Sequence, residues 1–267
     1  MTKSNTYKAG RHFLSVPGPT NIPDRVLRAM AFPAMDHRGP DFQNLSTNIL
    51  KKIKLIFKSE DPVVIFPSAG TGAMEASLAN TLSEGDKILM FETGHFATEW
   101  CQAARRYKLN VDFVPGDWRT GADPKIVEKK LREDKNHEIK AVLVTHNETS
   151  TGIKSQVEEV RKAIDSTNHP ALFMVDTISS LGSYDYNHQK WKVDVTVGGS
   201  QKGLMCPPGL SFNAISPKAL EAYKKSNLTK SYFDWGQMLE NNKSGFYPYT
   251  PAVNLFYALN DFSLSKS

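Results

Sequence analysis

Cysteine is nearly missing: Cys101 and Cys206 are the only two in 267 residues, and no metal-ligand spacing surrounds them. That excludes a disulfide-stapled secreted scaffold and reads as a pair of reduced thiols in a cytoplasmic protein. Long apolar runs are also missing. No stretch approaches transmembrane length, and the polar segment from Met1 to Val16 lacks the apolar centre of a secretory signal. The sequence ends in Ser-Lys-Ser, which is not a peroxisomal Ser-Lys-Leu. Charge of one sign is scarce, with 33 Lys and Arg against 28 Asp and Glu interspersed along the chain. No nucleic-acid stripe and no membrane association are therefore expected, although a net charge of +5 suits an anionic ligand. His12, His37, His137, His169 and His188 are scattered without ligand spacing, so no metal site is expected. Trp191, Trp235, Tyr247 and Tyr249 show no helical register and read as packing or interface rather than base stacking.

What is present is an alternation of short apolar runs and amphipathic stretches. The runs Val63–Phe66, Lys87–Phe91, Val111–Val114, Ala141–Thr145, Ala171–Val175, Val193–Val197 and Leu210–Ile215 predict strands. Thr71–Leu82, Ala97–Tyr107, Lys125–Asp134, Ser155–Asp165 and Lys218–Lys225 carry apolar residues at three- and four-residue spacing and predict helices. Gly39 to Ser59 reads as a further helix leading into the first strand, and Pro251–Leu259 as the start of another. The fold class is therefore α/β, a mostly parallel seven-stranded sheet flanked by helices. Pro17 to Pro23 is a Pro-stiffened extended arm that crosses the surface or a partner, or is simply a terminal loop.

In parallel sheets ligands gather beyond the carboxyl ends of the strands. Pro67-Ser-Ala-Gly-Thr-Gly72 follows the first strand and opens a helix, so its small residues and free N–H groups suit a phosphate. An ordinary tight turn is the other reading. Asp176 ends a wholly apolar strand, where a carboxylate is costly unless it meets a cation such as a pyridinium N–H, or caps the next turn. Lys202, in Gly198-Gly-Ser-Gln-Lys-Gly203 beyond the next strand, is either poised near a ligand or a surface loop lysine. Asp176 and Lys202 stand at the ends of successive strands, which puts them at one sheet edge. Thr145-His-Asn-Glu-Thr-Ser-Thr-Gly152 offers polar groups after the fourth strand, and Phe96 either stacks on a flat ring or belongs to the core.

These residues carry a resemblance. Val16-Pro-Gly-Pro-Thr20, Ser68-Ala-Gly-Thr-Gly72, Thr145–Gly152, Val175-Asp-Thr-Ile-Ser-Ser-Leu-Gly182, Gly199-Ser-Gln-Lys-Gly-Leu204, Pro207-Pro-Gly-Leu-Ser211 and Tyr247-Pro-Tyr-Thr-Pro251 occur in order. Together they resemble the class V aminotransferases of pyridoxal 5′-phosphate fold type I, especially the alanine–glyoxylate and serine–glyoxylate branch. The resemblance implies that Lys202 is the Schiff-base lysine and Asp176 the partner of the pyridinium nitrogen. It implies Phe96 as the stacking residue, and Ala69, Gly70, Thr71 and Gln201 as the phosphate site. Thr149 or Ser150 would be the hydroxyl near ring and substrate, Ile178 a cofactor contact, and Gly18 and Ser150 substrate neighbours. Tyr247 and Thr250 would reach the neighbouring active site of a homodimer.

The domains expected are an arm (1–24), a cofactor-binding large domain (25–250) and the start of a helix (251–267) leading to a small C-terminal domain. That domain, with its arginine for the substrate α-carboxylate, is expected to be absent. The implied activity is transfer of an amino group from serine, alanine or aspartate to glyoxylate or another small 2-oxo acid. Two alternatives stay open: a non-catalytic or truncated homologue that binds the cofactor, and a nicotinamide oxidoreductase using Gly70-Thr-Gly72 with Glu92.

Overall fold

Apolar runs of four to seven residues become strands because both of their faces are covered. In the computed structural model, which describes residues 13–264, they are β1 (Val63–Phe66), β2 (Lys87–Phe91), β3 (Asn110–Val114), β4 (Ile139–Thr145), β5 (Leu172–Asp176), β6 (Val195–Gly199) and β7 (Ser211–Ile215). They form one sheet in the order β1-β7-β6-β5-β4-β2-β3. The pairs from β3 through β6 are parallel, whereas β7 runs antiparallel to both β6 and β1. His12 and the first part of the arm lie outside the described residues, as does the terminal Ser-Lys-Ser.

The helices are α1 (Asp24–Met30), α2 (Pro40–Phe57), α3 (Gly70–Thr81), α4 (His95–Arg106), α5 (Pro124–Glu133), α6 (Val157–Ser166), α7 (Pro217–Tyr223), α8 (Trp235–Asn242) and α9 (Val253–Leu264). Seven of them, α2 to α7 and α9, begin within two residues of the expected starts. Helix α3 is an exception to amphipathic patterning: nine of its twelve residues are buried, because it is wedged against β6 and β7 with α4 and α7 beside it. Small residues allow that close approach on every side.

Some boundaries move. Strand β6 starts at Val195, not Val193, because Val193 donates to the His188 carbonyl in a hook before the sheet pairing begins. It then continues through Gly198 and Gly199, which pair with Phe212 and Ser211. Helix α9 packs on α1 and α2, with Phe256 against Phe42 at 5.7 Å between centroids and Arg25 donating to the Asp261 carbonyl at 2.9 Å. Trp235 and Tyr247 are buried packing residues, as their irregular spacing suggested.

The topology decides one of the open alternatives. A dinucleotide site needs its first two strands adjacent and parallel, joined by the helix between them. Here β1 and β2 are separated by β7, β6, β5 and β4. The nicotinamide reading of Gly70-Thr-Gly72 is thereby overturned. Two antiparallel steps leave β1 parallel to β6, so its carboxyl end lies at the same edge as those of β4, β5 and β6.

Candidate active site

Four strand ends meet at that edge around a cavity of about 240 Å³ lined by Gly18, Ala69, Gly70, Thr71, Phe96, Thr149, Asp176, Ile178, Gln201 and Lys202, among others. Asp176 is the last residue of β5, paired in register with Thr145 and Val197. Its side chain is buried, and one carboxylate oxygen accepts the Ile178 N–H at 2.8 Å. The capping reading thus holds, and the residue also lines the cavity. Burial pushes its pKa up to about 7, reinforced by Glu148 and opposed by the Ile178 N–H and Lys202. A carboxyl held in that state gains greatly from a cation beside it.

Lys202 stands three residues past β6. Its Nζ donates to the Pro17 carbonyl at 2.8 Å and to Thr149 Oγ1 at 3.3 Å, and lies 5.9 Å from the centre of the Phe96 ring. Burial lowers its pKa, with Asp176 and then Glu148 acting in the opposite direction. The amine is therefore easier to deprotonate than an exposed lysine. The loop beneath it is fixed: Ser200 Oγ donates to the Pro207 carbonyl at 2.6 Å and accepts the Leu210 N–H at 3.2 Å.

The arm crosses its own site. Thr20 N–H donates to the Gln201 carbonyl at 2.9 Å, and the Thr20 hydroxyl reaches the Gln201 and Lys202 carbonyls. At Gly18, φ is +138°, and a Cβ there would come within 2.4 Å of Lys202 Cε. Only glycine lets the arm lie this close to the lysine.

The first turn of α3 begins at Gly70, and its N-cap, Ala69, has no side-chain acceptor for the free N–H groups. A Cβ on Gly70 would overlap Ile178 Cδ1 at 2.4 Å, so the glycine keeps this cradle open. One amide oxygen, Gln201 Oε1, is buried at the same place without a partner among the described residues. These features fit pyridoxal 5′-phosphate: a helix N-terminus for the phosphate, a buried carboxylate for the ring nitrogen, an aromatic wall and an amine.

Two expected residues stand elsewhere. Ser150 Oγ donates to Glu148 Oε1 at 2.7 Å and accepts the His95 N–H at 2.9 Å, so its hydroxyl faces the start of α4, not Lys202; Thr149 is the hydroxyl in the cavity. Tyr247 does not reach outward, because its ring is buried in this chain's own core between Phe42 and Phe256. Thr250 is exposed. Sequence reasoning missed Glu148, whose fully buried carboxylate joins two walls of the cavity. The available signal was the start of α4, where Gly94 offers no side chain to cap the helix.

The Aminotransferase class-V family model matches residues 12–261. The chain is 47% identical over 262 residues to the serine–glyoxylate aminotransferase of Methylorubrum extorquens, covering 96% of this chain and 65% of that protein. It is 44% identical to the L-aspartate–glyoxylate aminotransferase of Paracoccus denitrificans, covering 92% and 62%. Among solved structures, alanine–glyoxylate aminotransferase from Nostoc superposes with a TM-score of 0.88 at 28% identity, covering 98% of this chain and 69% of that one. The chain thus spans a little under two thirds of the length of these curated relatives. The family is pyridoxal-phosphate-dependent, in keeping with the donors and acceptors around the cavity. On the family model and these identities, the chain belongs to the class V aminotransferases.

Proposed function

We propose that this chain is the cofactor-binding part of an aminotransferase that moves an amino group from serine, alanine or aspartate to glyoxylate or another small 2-oxo acid. The observation that carries the proposal is the convergence of Asp176, Lys202, Phe96 and the open first turn of α3 on one cavity. Residues 25–250 form the cofactor-binding domain in this reading.

Pyridoxal phosphate, when bound, supplies a carbonyl that takes up the amino group and a ring that accepts electrons from the substrate Cα. The protein's part is to bind, orient and move protons. The N–H groups of Gly70 and Thr71, with the Gln201 amide, would hold the phosphate. Asp176 would hold the proton on the ring nitrogen. Phe96 would cover one ring face and exclude water from it. Lys202 would anchor the cofactor; once displaced by the substrate amine, its Nζ would take the proton from the substrate Cα. The depressed basicity of Lys202 makes its neutral form accessible for that step.

A homodimer and a cytoplasmic location belong to the same proposal. The exposed Thr250 supports a contact with a second subunit, while Tyr247 is left to pack its own core. The buried, unpaired thiols of Cys101 and Cys206 support the cytoplasm. The test is to load the chain with pyridoxal phosphate, add serine and glyoxylate, and measure glycine. Glycine formation supports the proposal. Cofactor binding without glycine from serine, alanine or aspartate favours the non-catalytic homologue.

A further inference from the structure

Glu148 is buried, and among the described residues no lysine, arginine or histidine forms an ion pair with it. A buried carboxylate is costly unless hydrogen bonds replace its water. Here four donors do so. Oε1 accepts from Phe96 N–H at 3.2 Å, Ser150 N–H at 3.1 Å and Ser150 Oγ at 2.7 Å, and Oε2 accepts from Ala97 N–H at 3.0 Å. The N-cap position of α4 is Gly94, and a Cβ there would lie 2.4 Å from Glu148 Cγ and 2.6 Å from Ser150 Oγ. A local capping side chain is thereby excluded, and Glu148 caps the helix from another strand end.

The residues it fastens are the two that flank Lys202. Phe96 is held by its own N–H, and Thr149 lies between Glu148 and Ser150 in a turn closed by Gly152 N–H donating to the Glu148 carbonyl at 2.8 Å. One amine, Lys202 Nζ, is near both the Phe96 ring and the Thr149 hydroxyl. We propose that Glu148 is a positioning residue for the cofactor, locking the ring of Phe96 and the hydroxyl of Thr149 into one rigid unit that faces Lys202. The inference rests on the pyridoxal phosphate reading above.

The test is a double-mutant cycle read by cofactor dissociation constant and by the circular dichroism of the visible cofactor band. Wild type, Glu148→Gln, Phe96→Leu and the double variant are compared, with Lys202→Ala as the reference. Glutamine keeps one acceptor but turns an NH₂ group toward a backbone N–H, so about tenfold weaker binding is expected. The dichroic band should fall with it. Because Glu148 acts in part through Phe96, the double variant should lose less binding than the two single losses combined. Additive losses, or unchanged binding in Glu148→Gln, would overturn the inference. If Glu148→Gln fails to fold, Ser150→Ala in the same cycle should give a smaller loss that is again not additive with Phe96→Leu; additivity there also overturns it. A wild-type chain with no Lys202-dependent band would sink the cofactor reading itself, whereas a wild-type band with an additive cycle sinks Glu148 alone.

Discussion

Replacing Asp176 by asparagine should make the apoprotein more stable and the cofactor complex weaker, and the first effect should grow with pH. The carboxyl has its pKa raised from 3.8 to about 7, chiefly by burial. Its folded-state value lies above its unfolded one. The stability it contributes is therefore full below about pH 4 and is lost as pH rises toward 7. About three units at about 1.4 kcal/mol each give roughly 4 kcal/mol lost by pH 8, and about 1–2 kcal/mol at pH 5. Asparagine keeps the oxygen that accepts the Ile178 N–H but carries no charge to bury. Urea unfolding of both apoproteins at pH 5 and pH 8 measures the gap, and titrating groups that do not interact with Asp176 cancel in the difference. The variant should be more stable at both, by about 2 kcal/mol more at pH 8 than at pH 5. Pyridoxal phosphate should meanwhile bind the variant about a hundredfold more weakly, because the buried charge pair is lost. A gap that is flat or shrinks between pH 5 and pH 8 would refute the burial argument.

Gly18→Ala should displace Lys202 from the Pro17 carbonyl, since the added Cβ meets the lysine side chain at 2.4–2.7 Å. We expect roughly tenfold slower formation of the lysine-dependent cofactor band and about 1–2 kcal/mol lost from backbone strain; stopped-flow absorbance checks the first, and an unchanged rate contradicts it. Trp235→Ala should cost about 3–5 kcal/mol. That residue is buried, and its indole N–H donates to Asn213 Oδ1 at 3.2 Å. A loss below about 1 kcal/mol in urea unfolding would show that this packing is unimportant.

The strands were legible because parallel strands buried on both faces leave continuous apolar runs, and β1 and β2 fall where those runs predict. Their partners were not legible. The runs at β1 and β7 look like the others, and nothing in Val63–Phe66 signals that it pairs antiparallel at a sheet edge. Asp176 and Lys202 could be read because each breaks a local rule: a charge closing an apolar strand, and a lysine among glycines. Ser150 and Tyr247 show the limit of motif transfer. Their positions match, but the direction of each side chain depends on Glu148 in one case and on Phe42 and Phe256 in the other. Glu148 itself was hidden because the α4 backbone N–H groups that it caps lie more than fifty residues away, and no spacing in the sequence marks them.

The most direct measurement of the central claim is to incubate the chain with pyridoxal phosphate, reduce with borohydride, and map the modified peptide by mass spectrometry. The label should sit on Lys202 at one per chain, with the visible band missing from Lys202→Ala. A label spread over surface lysines, or a band that survives Lys202→Ala, would contradict it.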